Sequence, residues 1–371
     1  MASIPRVYAA TVAERNSSLW KALEKRFDAA SEEGVLAHRL APLAAVTLRR
    51  MGRAVPASWL AEEREAAVRM LAVRPVLQAV RANCDGPVVL MKGPEVARRY
   101  PESARLFGDL DLLVPNARLT HEQLRGGDFV EVGDPELYYR LHHLRPLAWQ
   151  GLPLAVEIHS TAKWPDRLHR PAGMAAELIE AAAPSTLGID GILAPDPARH
   201  AVLLAAHAWA HEPLRTLRDL VDIAALAAEA EQAEVERLVR AWRIESLWGT
   251  TEAAAAALFE EGLPPLALRL WARHLPAVRE RTVLEGHLQG WVSGFWALPP
   301  REAVAQSLSS LRKDLLRAPE EGWKAKLART RIALRHAGMP RSSHGLELGD
   351  EATRGRGRNP PDEEDRAVPA P

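Results

Sequence analysis

Cysteine is nearly absent from this chain of 371 residues, in which Cys84 stands alone. A lone thiol closes no disulfide within the chain and builds no cysteine-based zinc site, so neither an oxidising compartment nor a zinc ribbon is supported. Long apolar runs are missing too. A stretch such as Ala201 to Ala206 falls far short of the roughly 20 residues a helix needs to cross a bilayer. The opening Met-Ala-Ser-Ile-Pro-Arg-Val-Tyr lacks the basic head and apolar core of a secretory signal. The expectation is a soluble, cytoplasmic protein with no membrane partner. Net charge is also lacking, because 48 basic residues balance 48 acidic ones. That balance withholds the broad positive field by which proteins hold structured nucleic acid, which is therefore not an expected partner. No repeat of solenoid period is found.

What is present is a chain with 47% hydrophobic residues, long enough to bury two cores. Helical periodicity fills residues 11–50 and 58–74, with Leu60, Ala67, Val68 and Leu71 near one stripe. Pro75 is expected to end or kink that helix, leaving Val76, Leu77 and Val80 to a second short one. Alternating apolar segments near 88–91, 109–114, 128–132, 144–150 and 153–159 read as strands, with helices near 94–100, 118–126 and 134–141. From Asp196 onward nearly every segment reads as helix, with Gly262 placed to end one at Glu261. Trp271, Trp291, Phe295 and Trp296 read as part of a helical core. After Met339 the composition turns to Gly, Pro, Arg, Asp and Glu, too polar to offset its ordering entropy. The expected fold class is α+β: a small mixed sheet with helices, followed by a mostly helical domain. The boundaries are a helical segment at 1–85, a core at 86–195, helices at 196–338 and a disordered tail at 339–371.

The most informative stretch is Arg105-Leu-Phe-Gly-Asp-Leu-Asp-Leu-Leu-Val114. On a strand Asp109 and Asp111 share one face, about 6.6 Å apart, while Leu110, Leu112 and Val114 take the other. Carboxylates that close resist joint ionisation unless a cation or hydrogen-bond donors neutralise them. Mg²⁺ held by such acids and by substrate phosphates meets that need; an exposed, solvated strand end is the alternative. Upstream, Val88-Val-Leu-Met-Lys92-Gly93-Pro94 reads as strand, tight turn and helix start, which places Lys92 and helix N–H groups where an anion could sit. Downstream, Leu152-Pro-Leu-Ala-Val-Glu157-Ile-His159 is a strand with Glu157 and His159 on one face.

These segments in order resemble the nucleotidyltransferase superfamily with the DNA polymerase β type of catalytic fold. The closer likeness is to its branch of uncharacterised nucleotidyltransferases, where an L-K-G turn precedes an R-x-x-x-D-x-D-x-L-V strand and a later [VL]-[DE]-[LIV]-H strand. Here Leu90-Met-Lys92-Gly93 carries Met91 in the place of the leucine, and the likeness spans about residues 60–225. It implies Mg²⁺ or Mn²⁺ held by Asp109, Asp111 and Glu157, with Glu157 also drawing a proton from the attacking hydroxyl. It further implies an NTP as co-substrate near Lys92, Gly93, Arg105 and His159, with Lys92 and Arg105 on the triphosphate. The expected reaction moves a nucleoside monophosphate to a hydroxyl-bearing acceptor, which the sequence does not name. The chain departs from the superfamily's Gly-Ser or Gly-Gly turn, since Pro94 brings neither hydroxyl nor N–H. A catalytically idle relative that binds a nucleotide or a protein is the alternative.

A second constellation runs from His200 to Asp222, with His207 and His211 one helical turn apart. It lacks the acid of the H-E-x-x-H motif, and Pro213 follows at once. One reading packs these histidines and Trp209 on the catalytic domain, with Arg218 paired to Asp219 or Asp222. The rival is a metal-dependent phosphohydrolase using His207, His211 and Asp219.

Overall fold

A computed structural model describes residues 12–133, 144–259, 266–316 and 322–341. Four helices come first: α1 (Val12–Ala29), α2 (Glu32–Ala37), α3 (Ala41–Arg50) and α4 (Ala57–Asn83). Then follow β1 (Val88–Leu90), α5 (Pro94–Ala97), β2 (Asp109–Leu113), α6 (Ala117–Gly126), β3 (Phe129–Glu131), β4 (Leu147–Trp149) and β5 (Ala155–His159). Helix α7 (Met174–Glu180) and the hairpin β6 (Ala183–Pro184) and β7 (Ile192–Ala194) lead to the helical remainder. That remainder comprises α8 (Pro197–His211), α9 (Leu217–Glu229), α10 (Gln232–Ala241), α11 (Glu245–Phe259), α12 (Leu266–Leu270), α13 (Val283–Val292), α14 (Gly294–Ala297), α15 (Pro300–Leu315) and α16 (Trp323–Arg335). The fold is α+β.

The strands form one mixed sheet in the order β3-β4-β5-β2-β1-β7-β6, with β2/β5 and β1/β7 parallel and the other pairs antiparallel. Strand alternation splits its side chains between two cores. Leu110, Leu112, Val156 and Ile158 pack with Val73, Val76, Leu77 and Val80 of α4 and with Leu124 of α6. Val89, Met91 and Leu113 point the other way, into a core shared with α1, α3, α8, α9 and α11. The acidic face of β2 is therefore the one that looks toward the helical remainder.

Helix ends carry the signals their sequences promise. Asp196 accepts from the N–H groups of Ala198 and Arg199 to start α8, Thr216 caps α9, and Thr282 with Glu285 makes a capping box on α13. Helix α4 departs from expectation, because it continues through Pro75. Pro75 removes the N–H that would reach Leu71, and Leu71 lies on the exposed side of the helix, where water can replace the lost donor. On the opposite side Val73, Val76 and Leu77 bury against the sheet and hold both halves in line. Trp271 is fully buried and meets Trp296 edge on, whereas Phe295 is exposed. Met339 and Pro340, at the start of the expected tail, are paired with Val283 and Thr282. The expected helix at 134–141, the stop at Gly262 and the tail beyond Arg341 lie outside the described residues. Among the described residues no helix is long and apolar enough to cross a membrane.

Candidate functional site

Two parallel strands bring the acids together. β2 and β5 pair with Asp111 directly opposite Glu157 and Leu113 opposite His159, so Asp109, Asp111, Glu157 and His159 share one sheet face. The turn after β1 closes the site from the other side. Gly93 has φ 63° and ψ −120°, a conformation open to glycine, and a Cβ there would lie 2.9 Å from the carbonyl oxygen of Asp109. That close approach sets Lys92 over the acids.

Lys92 Nζ lies 3.6 Å from Asp111 Oδ2 and donates to His207 Nε2 at 2.6 Å. Burial, then the Lys92 charge, holds the His207 imidazolium form far below its usual range, which leaves His207 neutral and able to accept that bond. His159 Nε2 lies 3.0 Å from Asp111 Oδ1 and 3.6 Å from Glu157 Oε2. Burial alone would raise the Asp111 carboxyl, yet Lys92 and the His159 bond carry it well below the ordinary carboxylate range. Asp109 goes the opposite way: burial first, then the charges of Asp111 and Glu157, push its carboxyl up. Three acids thus crowd a surface with too little water to screen them.

Ligand atoms of Asp111, Glu157 and His159 all lie within 4.8 Å of one another, the one such group among the described residues. Asp109 stands outside that group, close enough to feel both carboxylates. Oxygen donors from Asp109, Asp111 and Glu157 suit Mg²⁺ or Mn²⁺, and His159 on Asp111 is placed as the neighbour that orients a ligating carboxylate. His207, His211 and Asp219 make no comparable group, and Lys163 sits 2.9 Å from His211 Nδ1. Trp209 packs within the helical remainder, its indole donating to Thr251.

A cavity of about 410 Å³ opens over this face, lined by Lys92, Gly93, Arg105, Asp109 and Asp111 on the sheet side. Glu157 and His159 lie beside it rather than in its lining, His159 in a narrow recess with Lys163 and His207. A larger cavity of about 740 Å³ lies among the C-terminal helices and contains none of the strand acids. The strand acids, not size, single out the smaller space as the candidate.

Arg105 has a different partner from the expected one. Its guanidinium makes two 2.7 Å bonds to Asp222 on α9, and Tyr100 donates to the same carboxylate at 2.6 Å. All three are buried, and the paired charges hold the Asp222 carboxyl below its ordinary range against the opposing effect of burial. Arg105 therefore bolts the D-x-D strand to the helical remainder. The far wall of the cavity instead brings Arg39 and Arg215, which the sequence reading missed, and Arg218, which it expected only as an ion-pair partner and which does lie 3.7 Å from Asp219. Arg39 sits between α2 and α3 with φ 54°, and the charge of Arg218 is the main cause that lowers its guanidinium's affinity for a proton. Glu212 and Asp219 share that wall, 3.6 Å from Arg215 and 3.7 Å from Arg218.

No curated protein and no solved structure matches the chain. The family model described as uncharacterised nucleotidyltransferase matches residues 35–260. That stretch takes in Arg39, the turn, both acidic strands and α8 to α11, so the match covers every residue of the site just described, and the chain belongs to the uncharacterised nucleotidyltransferase family.

Proposed function

We propose that this protein transfers a nucleoside monophosphate from an NTP to a hydroxyl group of an acceptor, with Asp109, Asp111 and Glu157 holding Mg²⁺ or Mn²⁺. The observation that carries the reading is the register of β2 and β5, which sets Asp111 opposite Glu157 with Asp109 on the same face, beneath a cavity walled by arginines. Divalent ions there would offset negative charge on the entering and leaving oxygens of an in-line displacement. The crowding of Arg39, Arg215 and Arg218 is relieved when a triphosphate enters between them, so these side chains take the phosphates. Lys92, steered by His207, neutralises Asp111 and stands ready for the α-phosphate. In the reaction the acceptor oxygen bonds to the α-phosphorus, the bond to the bridging oxygen breaks, and pyrophosphate leaves with that electron pair. Glu157 takes the hydroxyl proton. His159 keeps Asp111 and Glu157 in place, and the remaining rate comes from positioning.

The test uses purified protein with α-labelled NTPs, Mg²⁺ and a size-fractionated lysate as acceptor source. Wild type is expected to label an acceptor, and Asp111→Asn to lower the rate by roughly a hundredfold or more while keeping the native circular dichroism spectrum. Nucleotide that binds with Mg²⁺ but is never transferred would place the protein among idle relatives. Transfer undiminished in Asp111→Asn would remove the acids from the mechanism.

A further inference from the structure

The larger cavity lies beside the site already described. His211 and Glu212, at the end of α8, line both spaces, so whatever occupies the larger one abuts the nucleotide cavity. We propose that this cavity of about 740 Å³ is the acceptor site, and that it takes a neutral, hydroxyl-rich small molecule of the sugar or cyclitol kind. The inference rests on the nucleotidyl-transfer reading, which needs a hydroxyl delivered next to the acids.

Its volume falls within the roughly 300–1,000 Å³ of ordinary small-molecule sites. The lining gives the chemistry. Gln289 and Ser293 on α13 and its end are 7% and 4% exposed and line this space. Their amide and hydroxyl both donate and accept, which suits a polar guest. Gln306, Ser309 and Ser310 of α15 add further groups that both donate and accept, the pairing that a sugar hydroxyl offers in return. Charge is balanced: Asp166, Glu212 and Asp314 face Arg167, Lys313 and Arg341. Glu212 is moreover engaged by Arg281 at 2.9 Å and Arg341 at 2.5 Å, and Asp314 by His287 at 2.9 Å and Trp291 at 2.7 Å. Such a lining favours an uncharged guest over a phosphorylated or cationic one. Residues 283–341 of this wall lie beyond the stretch matched by the family, so acceptor choice belongs to this chain's own C-terminal helices.

The experiment is saturation-transfer NMR on the full chain with glucose, maltose and myo-inositol, alongside glucose 6-phosphate and a short serine-containing peptide. At least one neutral compound should bind saturably, and Gln289→Leu should weaken it by about tenfold, the effect of a lost buried hydrogen-bond partner. Ser293→Ala serves as the second variant, and circular dichroism checks that each is folded. The proposal is overturned if none of the three neutral compounds binds, if both variants bind as wild type does, or if the phosphate ester or peptide binds better. Equilibrium dialysis with labelled ATP and Mg²⁺ separates this from the parent reading. ATP affinity indifferent to Asp111→Asn, with no transfer, removes the nucleotidyl reading even where a polyol still binds at Gln289.

Discussion

Gly93 holds a backbone conformation that side chains disfavour, against the Asp109 carbonyl, and the geometry of Lys92 depends on it. Gly93→Ala adds a Cβ where there is room for none. Strain at such φ values is about 1–3 kcal/mol before any shift of β2 is counted. The expected outcome is a lower denaturation midpoint together with loss of nucleotide binding, read by urea unfolding and by labelled-ATP dialysis; a variant with wild-type values in both would separate the turn from the site. Arg105 and Asp222 illustrate a different residue-scale lesson. An arginine four residues before a D-x-D looks like a phosphate ligand in sequence, yet a buried guanidinium needs a carboxylate, and Asp222 from α9 supplies it at 2.7 Å. Sequence gives the arginine's presence and not its partner, because the partner lies on an element more than a hundred residues away.

At the scale of elements, α4 carries a removable fault. Pro75 deletes one helical hydrogen bond in the middle of a helix that runs from Ala57 to Asn83. Pro75→Ala restores the donor, and the gain of about 3 kcal/mol is partly offset by a looser unfolded chain. A net stabilisation of roughly 1–2 kcal/mol is expected in urea unfolding; a decrease would mean the proline ring itself packs usefully. Elements also mark where the sequence was readable. Asp109, Asp111 and Glu157 were legible because strand alternation is a local signal, and the structure sets all three on one face. The hairpin of Ala183–Pro184 and Ile192–Ala194 was not, since strands of two and three residues hold too few alternations to register. Nor were Arg39, Arg215 and Arg218 legible as one wall, since Arg39 comes from the turn between α2 and α3 and the other two from the start of α9, far away in sequence.

The molecule as a whole is stapled by buried histidines. His38 bonds Arg279 and accepts from Leu217, His200 bonds Met91, and His274 bonds Arg215 while stacking on His38. Burial lowers all three, His38 and His200 to about 4 and His274 to about 3, from an ordinary value of 6.5. A folded value below the unfolded one means that the unfolded chain takes up protons first as pH falls. Stability is therefore complete above pH 6.5 and declines by several kcal/mol as pH falls toward 4. Urea midpoints between pH 8 and 4 check this, and a flat profile from 6.5 to 5 would contradict it. The parallel pairing of Asp111 with Glu157 has a last consequence for how such a protein can decay. Slippage of either strand by one residue would drive a carboxylate among Val73, Leu77 and Leu124, and the chain would lose its fold along with its chemistry. Exchange of an acid for its amide leaves the hydrocarbon untouched. Loss of the acids by point substitution would therefore leave the sheet intact.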